Sequence, residues 1–199
     1  MRSENDCEKI KYYRTDMSLL LSREFAGQIA KQHHYHPQDQ EVVLSVIRDV
    51  RNCIKDQEGM ELHITPAYAD VVITLGSRLD VLLDRYGRQY HVLRQLVTEH
   101  VVSAVLMHQY EQVMELLEQE TGCRPGKVHF WGSEPEYPLE KIPEILGQLG
   151  HTGVRYQEPG ILIPTKSVIC RVDLDGEGFQ GICATCERGR RGECEFRSA

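Results

Sequence analysis

Three cysteines near the C-terminus, Cys183, Cys186 and Cys194, fall in the spacing C-x2-C-x7-C. A C-x2-C pair on a tight turn is the usual half-site for tetrahedral zinc or an iron–sulfur cluster, because thiolates are soft ligands that suit both. Gly181, Gly189 and Gly192 give the intervening loop freedom to return the third thiolate. The arginines of the ERGRRGE stretch would lower the thiol pKa values. Three ligands are one short of a closed structural site. Cys170, a histidine or a second protein would supply the fourth; the alternative is three free thiols. The remaining cysteines, Cys7, Cys53 and Cys123, read as small apolar residues, as does Cys170 if it binds no metal.

Other groups are more ambiguous. His33, His34 and His36 in QHHYHP invite a metal reading, against which stands a polar loop before a helix. Glu99, His100 and His108 lie within one long helical pattern and read as surface or half-buried groups. Ser77 and Asp80 follow an apolar run and one glycine, which suits a helix N-cap; a phosphate loop would need more glycines. Lys166 would either pair with a carboxylate or phosphate, or stand in water on its turn. No nucleophile–base pair stands out.

The elements that must position these residues are read from periodicity. Residues 1–15 are polar and read as a loose end, and Met17–Ala30 as a helix with Phe25 inward. Val42, Val43, Val46, Ile47, Val50 and Ile54 form one helical stripe, with Gly59 as its stop. Asp70–Leu75 is a β-branched run suited to a buried strand. A helix from Ser77 to Tyr86 is stopped by Gly87. Tyr90–Glu120 is the longest periodic element, with Gly122 as its C-terminal cap. Lys127–Trp131 alternates like a strand. Pro138 opens a short helix that Gly150 ends, and Val154–Tyr156, Ile161–Ile163 and Ser167–Val172 read as strands. The expected fold is α+β: one mixed or antiparallel sheet, formed mainly after residue 70, packed by helices including the long one. Residues 1–36 read as an N-terminal extension, 37–180 as the main domain and 181–199 as a cysteine-bearing tail.

The formal charge of −7 argues against nucleic acid, whose phosphates need a basic face. The N-terminus lacks the apolar core of a signal peptide, and no apolar run approaches the ~20 residues needed to span a bilayer. The expected location is cytoplasmic.

The segment GSEPEYPLEKIPEILGQLGHTGVRYQEPGILIPTKSVICRV, residues 132–172, orders a tyrosine-bearing turn, a helix, a strand, a Pro-Gly turn and two strands. It resembles the activation domain of cobalamin-dependent methionine synthase, and more closely the stand-alone relatives of that domain in anaerobic bacteria. These combine the tyrosine turn, an LIPxKSV segment and a cysteine-bearing tail; here the second reads LIPTKSV. VITLGSRLDVLLDRYG and the helix after it match a typical middle section. The resemblance implies S-adenosylmethionine as cofactor and a corrinoid on a partner, either a corrinoid protein or a cobalamin-dependent methyltransferase. It implies a cleft lined by Ser133, Glu134, Pro135, Glu136 and Tyr137, with Lys166 at its rim. In that family the turn reads approximately R-x-x-x-G-Y. Tyr137 and Pro135 match, while Gly132 stands where the arginine should be and Glu136 where the glycine should be. Glu134, Glu136 or Glu99 would favour the cationic sulfonium or amino group. The alternative is a non-catalytic binding module of the same fold, which docks a corrinoid protein or holds a metal through its tail.

Overall fold

The computed structural model describes residues 8–14, 17–56, 59–150 and 153–174. In chain order its elements are β1 (Lys9–Tyr13), α1 (Arg23–Gln32), α2 (Gln40–Ile54), β2 (Gly59–Ile64), β3 (Tyr68–Thr74), α3 (Arg78–Arg88), α4 (Val92–Thr121), β4 (Val128–Phe130), α5 (Ile142–Leu149), β5 (Arg155–Gln157), β6 (Ile161–Ile163) and β7 (Ser167–Asp173). Five strands form one antiparallel sheet in the order β1-β2-β3-β7-β4, and β5 pairs with β6 as a separate hairpin. The fold is α+β, with one long helix, as the sequence pattern leads one to expect.

Both faces of the sheet are covered, so β2 is buried at every residue rather than at alternate ones. On one face Met60, Leu62, Val71, Ile73, Cys170, Val172 and Val128 pack against Tyr110, Val113, Met114 and Leu117 of α4. On the other, Val72 and Ile169 pack beneath Ile142, Ile145 and Leu149 of α5. The stripe of α4 runs farther than the sheet. Val97, Val101, Val102 and Val105 leave it and join α2, α3 and α1 in a second, all-helical core. Each well-buried Val or Leu contributes about 1.5–3 kcal/mol, so this one helix supplies much of the stability of both cores. Gly122 ends it in the left-handed conformation, φ +67°, which its missing Cβ permits.

Several segments differ from the sequence expectation. Lys9–Tyr13, read as part of a loose end, is the edge strand β1, held in register by β2. Its two lysines, Lys9 and Lys11, suit an edge strand that must resist further pairing. Gly59 opens β2 rather than stopping α2, which ends at Ile54. Met17–Leu20 is a single 3-10 turn, and α1 begins only after Ser22, whose Oγ accepts from the Phe25 N–H. α3 continues through Gly87 to Arg88, and Ser77 makes no side-chain cap. Asp80 instead accepts hydrogen bonds from the backbone and hydroxyl of Thr165.

Candidate functional site

The tyrosine turn is closed by its own backbone. Gly132 N–H donates to the Tyr137 carbonyl at 2.6 Å, Tyr137 N–H to that of Glu134 at 3.0 Å, and Ser133 N–H to that of Phe130 at 3.0 Å. The Ser133 hydroxyl also donates to the Phe130 carbonyl, at 2.6 Å. Gly132 sits at φ +89°, and a Cβ built there would lie 2.4 Å from Cδ2 and 2.8 Å from Cγ of Leu139. Leu139 fills this space and also borders Gly160, where a Cβ would lie 3.0 Å from its Cδ1. Any side chain at position 132, including the arginine of the R-x-x-x-G-Y pattern, would be strained by the positive φ and would have to displace Leu139.

The turn lays Tyr137 on the second face of the sheet. Its ring stacks on His129 at 4.3 Å between centroids and meets Trp131 edge-on at 5.3 Å. His129 stands between two carboxylates: Nδ1 is 3.2 Å from Glu134 and Nε2 is 3.0 Å from Asp173. A neutral imidazole donates to only one of them; both are satisfied only by the doubly protonated ring. Lys127 also donates to Glu134, at 3.1 Å. Burial pushes the Glu134 carboxyl upward, but the hydrogen bonds from Lys127 and His129 outweigh it and hold the group below its ordinary range. Burial, then the Asp173 charge, raises the Tyr137 phenol, which stays neutral.

The register extends this group across the sheet. His63 opposes Asp70, Asp70 opposes Arg171, and Arg171 opposes His129. These four side chains form one row on the face that carries the turn. Asp70 is fully buried and accepts a two-pronged bond from Arg171, 2.8 Å for each prong. The guanidinium lies 3.7 Å from the Tyr68 ring centroid and 5.2 Å from that of Trp131. Such an ion pair is held by geometry as much as by charge, because the desolvation of both groups offsets much of their attraction. The result is a patch of aromatic rings with four carboxylates, Asp70, Glu134, Glu136 and Asp173, against two permanent cations, Lys127 and Arg171.

The sequence candidates thus separate. Glu134 and Tyr137 belong to this patch, Ser133 braces the turn, and Pro135 and Glu136 are exposed on it. Lys166 and Glu99 form their own ion pair, Nζ to Oε2 2.6 Å. Lys166 precedes the start of β7, and its ammonium is held by Glu99 of α4 rather than by a carboxylate of the turn. Cys170, offered above as a fourth metal ligand, points into the apolar face packed by α4 and is fully buried. Burial, then the Asp70 charge, pushes its thiol up to about 12, against the thiolate a metal needs. Cys183, Cys186 and Cys194 lie outside the described residues. His33 stacks face to face on His100 at 3.6 Å, and Tyr35 Oη is 2.7 Å from His100 Nδ1. Burial, then the neighbouring His34, lowers the His33 pKa; burial, then His33, lowers that of His100 against an opposing pull from Glu99. Among the described residues no group of three or more metal-ligating side chains converges, and no helix is long and apolar enough to cross a membrane.

His129, Asp173, Arg171, Asp70 and Trp131 were not singled out from sequence. A signal was present: His129 with Trp131, and Arg171 with Asp173, are polar or aromatic residues two apart on strands, and Asp70 opens an otherwise apolar run. No protein-family model and no curated protein matches this chain.

Proposed function

We propose that this chain is an accessory protein of corrinoid-dependent methyl transfer, offering S-adenosylmethionine at the tyrosine turn to a corrinoid carried by a separate corrinoid protein or cobalamin-dependent methyltransferase. The observation that carries the proposal is the patch around Tyr137. The π faces of Tyr137 and Trp131, beside an excess of carboxylates, suit a ligand with a positive centre, such as a sulfonium or an amino group. S-adenosylmethionine, when bound, supplies the methyl group; the chain's residues bind and orient it. Glu134, Glu136 and Asp173 attract the cation, and Tyr137 packs against it.

The ligand's own carboxylate is less well served. Position 132 is a glycine and carries no guanidinium, and Arg171, the arginine in the patch, already has its fork on Asp70. The loss of one charge-assisted contact is worth roughly 1.5–3 kcal/mol, so binding is expected to be weak. Calorimetric titration tests this. Saturable binding weaker than about 1 μM that disappears in Tyr137→Ala supports the proposal, and sub-micromolar binding would overturn the weakness argument.

Gly132 also favours a second reading, a non-catalytic module of the same fold that docks a corrinoid protein or holds zinc or an iron–sulfur cluster through Cys183, Cys186 and Cys194. No heat at millimolar S-adenosylmethionine would select it. Anaerobic purification with metal analysis and visible absorption, on wild type and Cys183→Ser, tests the metal part. A colourless chain without zinc or iron would leave only free thiols.

A further inference from the structure

A cavity of about 270 Å3 opens between α1 and α2, apart from the tyrosine turn. Arg23 from the first turn of α1, and Arg48 and Arg51 from α2, line it together with Glu41, over a floor of Leu44 and Ile47. Arg48 and Arg51 are three residues apart on one helix, so their charges are neighbours and repel. Among the described residues none of the three arginines lies within ion-pair distance of a carboxylate. Glu24, beside Arg23, is held below the ordinary range first by its own backbone N–H and the Ser22 hydroxyl at the helix end, with the Arg23 charge a smaller contribution.

A second cavity, of about 300 Å3, lies on another side of α2 and makes no such demand. There Tyr86 donates to Asp49 at 2.6 Å, Arg94 donates to Ser45 at 3.1 Å and faces Asp49 at 3.7 Å, and Arg85 and Arg94 lie near the Tyr86 ring. Asp49 thus answers one of that cavity's two arginines, whereas Glu41 pairs with none of the three in the first, in a chain whose overall charge is negative.

We propose that the α1–α2 cavity binds a small organic phosphate monoester. Three guanidiniums against one Glu41 leave two positive charges, which match a phosphomonoester dianion rather than a monocarboxylate. Guanidinium forks fit phosphate oxygens in pairs. Leu44 and Ile47 take the apolar group that the phosphate carries, and the volume suits one of about ring size. This site is independent of the S-adenosylmethionine proposal, since none of its residues belongs to the tyrosine turn.

Calorimetry with phenyl phosphate as the probe tests it, with inorganic phosphate and benzoate as the comparison arms, on the full chain at low ionic strength. Phenyl phosphate should saturate and bind more tightly than either comparison. Arg48→Gln and Arg51→Gln should each weaken it about tenfold or more. Both positions are solvent-exposed, so the variants should fold, which thermal unfolding checks. Lys141→Gln, an exposed cation outside the cavity, should leave binding unchanged. No saturation at millimolar phenyl phosphate, or an equal loss in Lys141→Gln, would overturn the site. Equal affinity for inorganic phosphate or benzoate would overturn the ligand class.

Discussion

Replacing Gly132 by alanine should cost about 2–5 kcal/mol of stability, although the substitution adds only one methyl group on an exposed turn. Two costs add. At φ +89° an L-residue pays about 1–2 kcal/mol for the clash of Cβ with its own backbone. The new Cβ would also lie 2.4 and 2.8 Å from two carbons of Leu139. Displacing that side chain is overpacking, worth about 1–3 kcal/mol. For a domain of this size each kcal/mol lowers Tm by about 2–4 °C. Denaturant unfolding separates the two costs if Gly132→Ala is made in both the wild-type and Leu139→Ala backgrounds. With Leu139 truncated, only the backbone cost of about 1–2 kcal/mol should remain, and the coupling energy should equal the overpacking share. The m-value should not change. A wild-type cost below about 0.5 kcal/mol, or a cost unaffected by Leu139→Ala, would refute the account of why no arginine stands at this position.

Two further outcomes follow from buried or shifted charges. Asp70→Asn should cost about 3–5 kcal/mol, because Arg171 keeps its charge in a mostly buried site and loses its partner. Adding Arg171→Met should recover much of that loss, and a single-variant cost below about 1 kcal/mol would mean that water reaches the pair. Tyr13 donates to Glu120 at 2.6 Å; burial, then that bond and the Glu120 charge, raise its pKa from 10.0 to about 12. A raised folded-state pKa means that the bond's stabilisation is complete below pH 10 and is lost as pH rises through 12. Subtracting the alkaline tyrosinate titration of Tyr13→Phe from that of the wild type isolates this group. A difference curve centred near 10 would remove the tie between β1 and α4.

What was legible in the sequence was what local periodicity encodes. The stripe of Val43, Val46, Val50 and Ile54 specifies α2, and that of α4 is long enough to outweigh its histidines and glutamates. The β-branched run Val71–Ile73 and the segment Ser167–Val172 announce the two central strands. β1 and β2 were not legible. One is a short edge strand, KIKYY, with two lysines, and the other carries Glu61 and His63 on a face that looks solvent-bound until the second layer covers it. The same limit hid the row His63–Asp70–Arg171–His129. Its members come from four strands, and only the register brings them side by side. Tyr137 and Glu134 were within reach only through the resemblance of their turn to a known family, whereas their partners His129 and Asp173 are set by strand pairing between β4 and β7.

α4 has thirty residues, roughly 45 Å of helix, and its two ends serve different cores. Val97 and Val101 are walled in by α2 and α3, and Val113 and Leu117 by the sheet. A continuous rod of this kind leaves no hinge between the two halves. Neither core can open alone without fraying a helix that the other still clamps. The central amides of α4 should therefore exchange with deuterium only through global opening, while α1, anchored at one end of the molecule, exchanges through cheaper partial excursions. The helical and sheet layers, although they share few contacts beyond this rod, should then melt in a single transition.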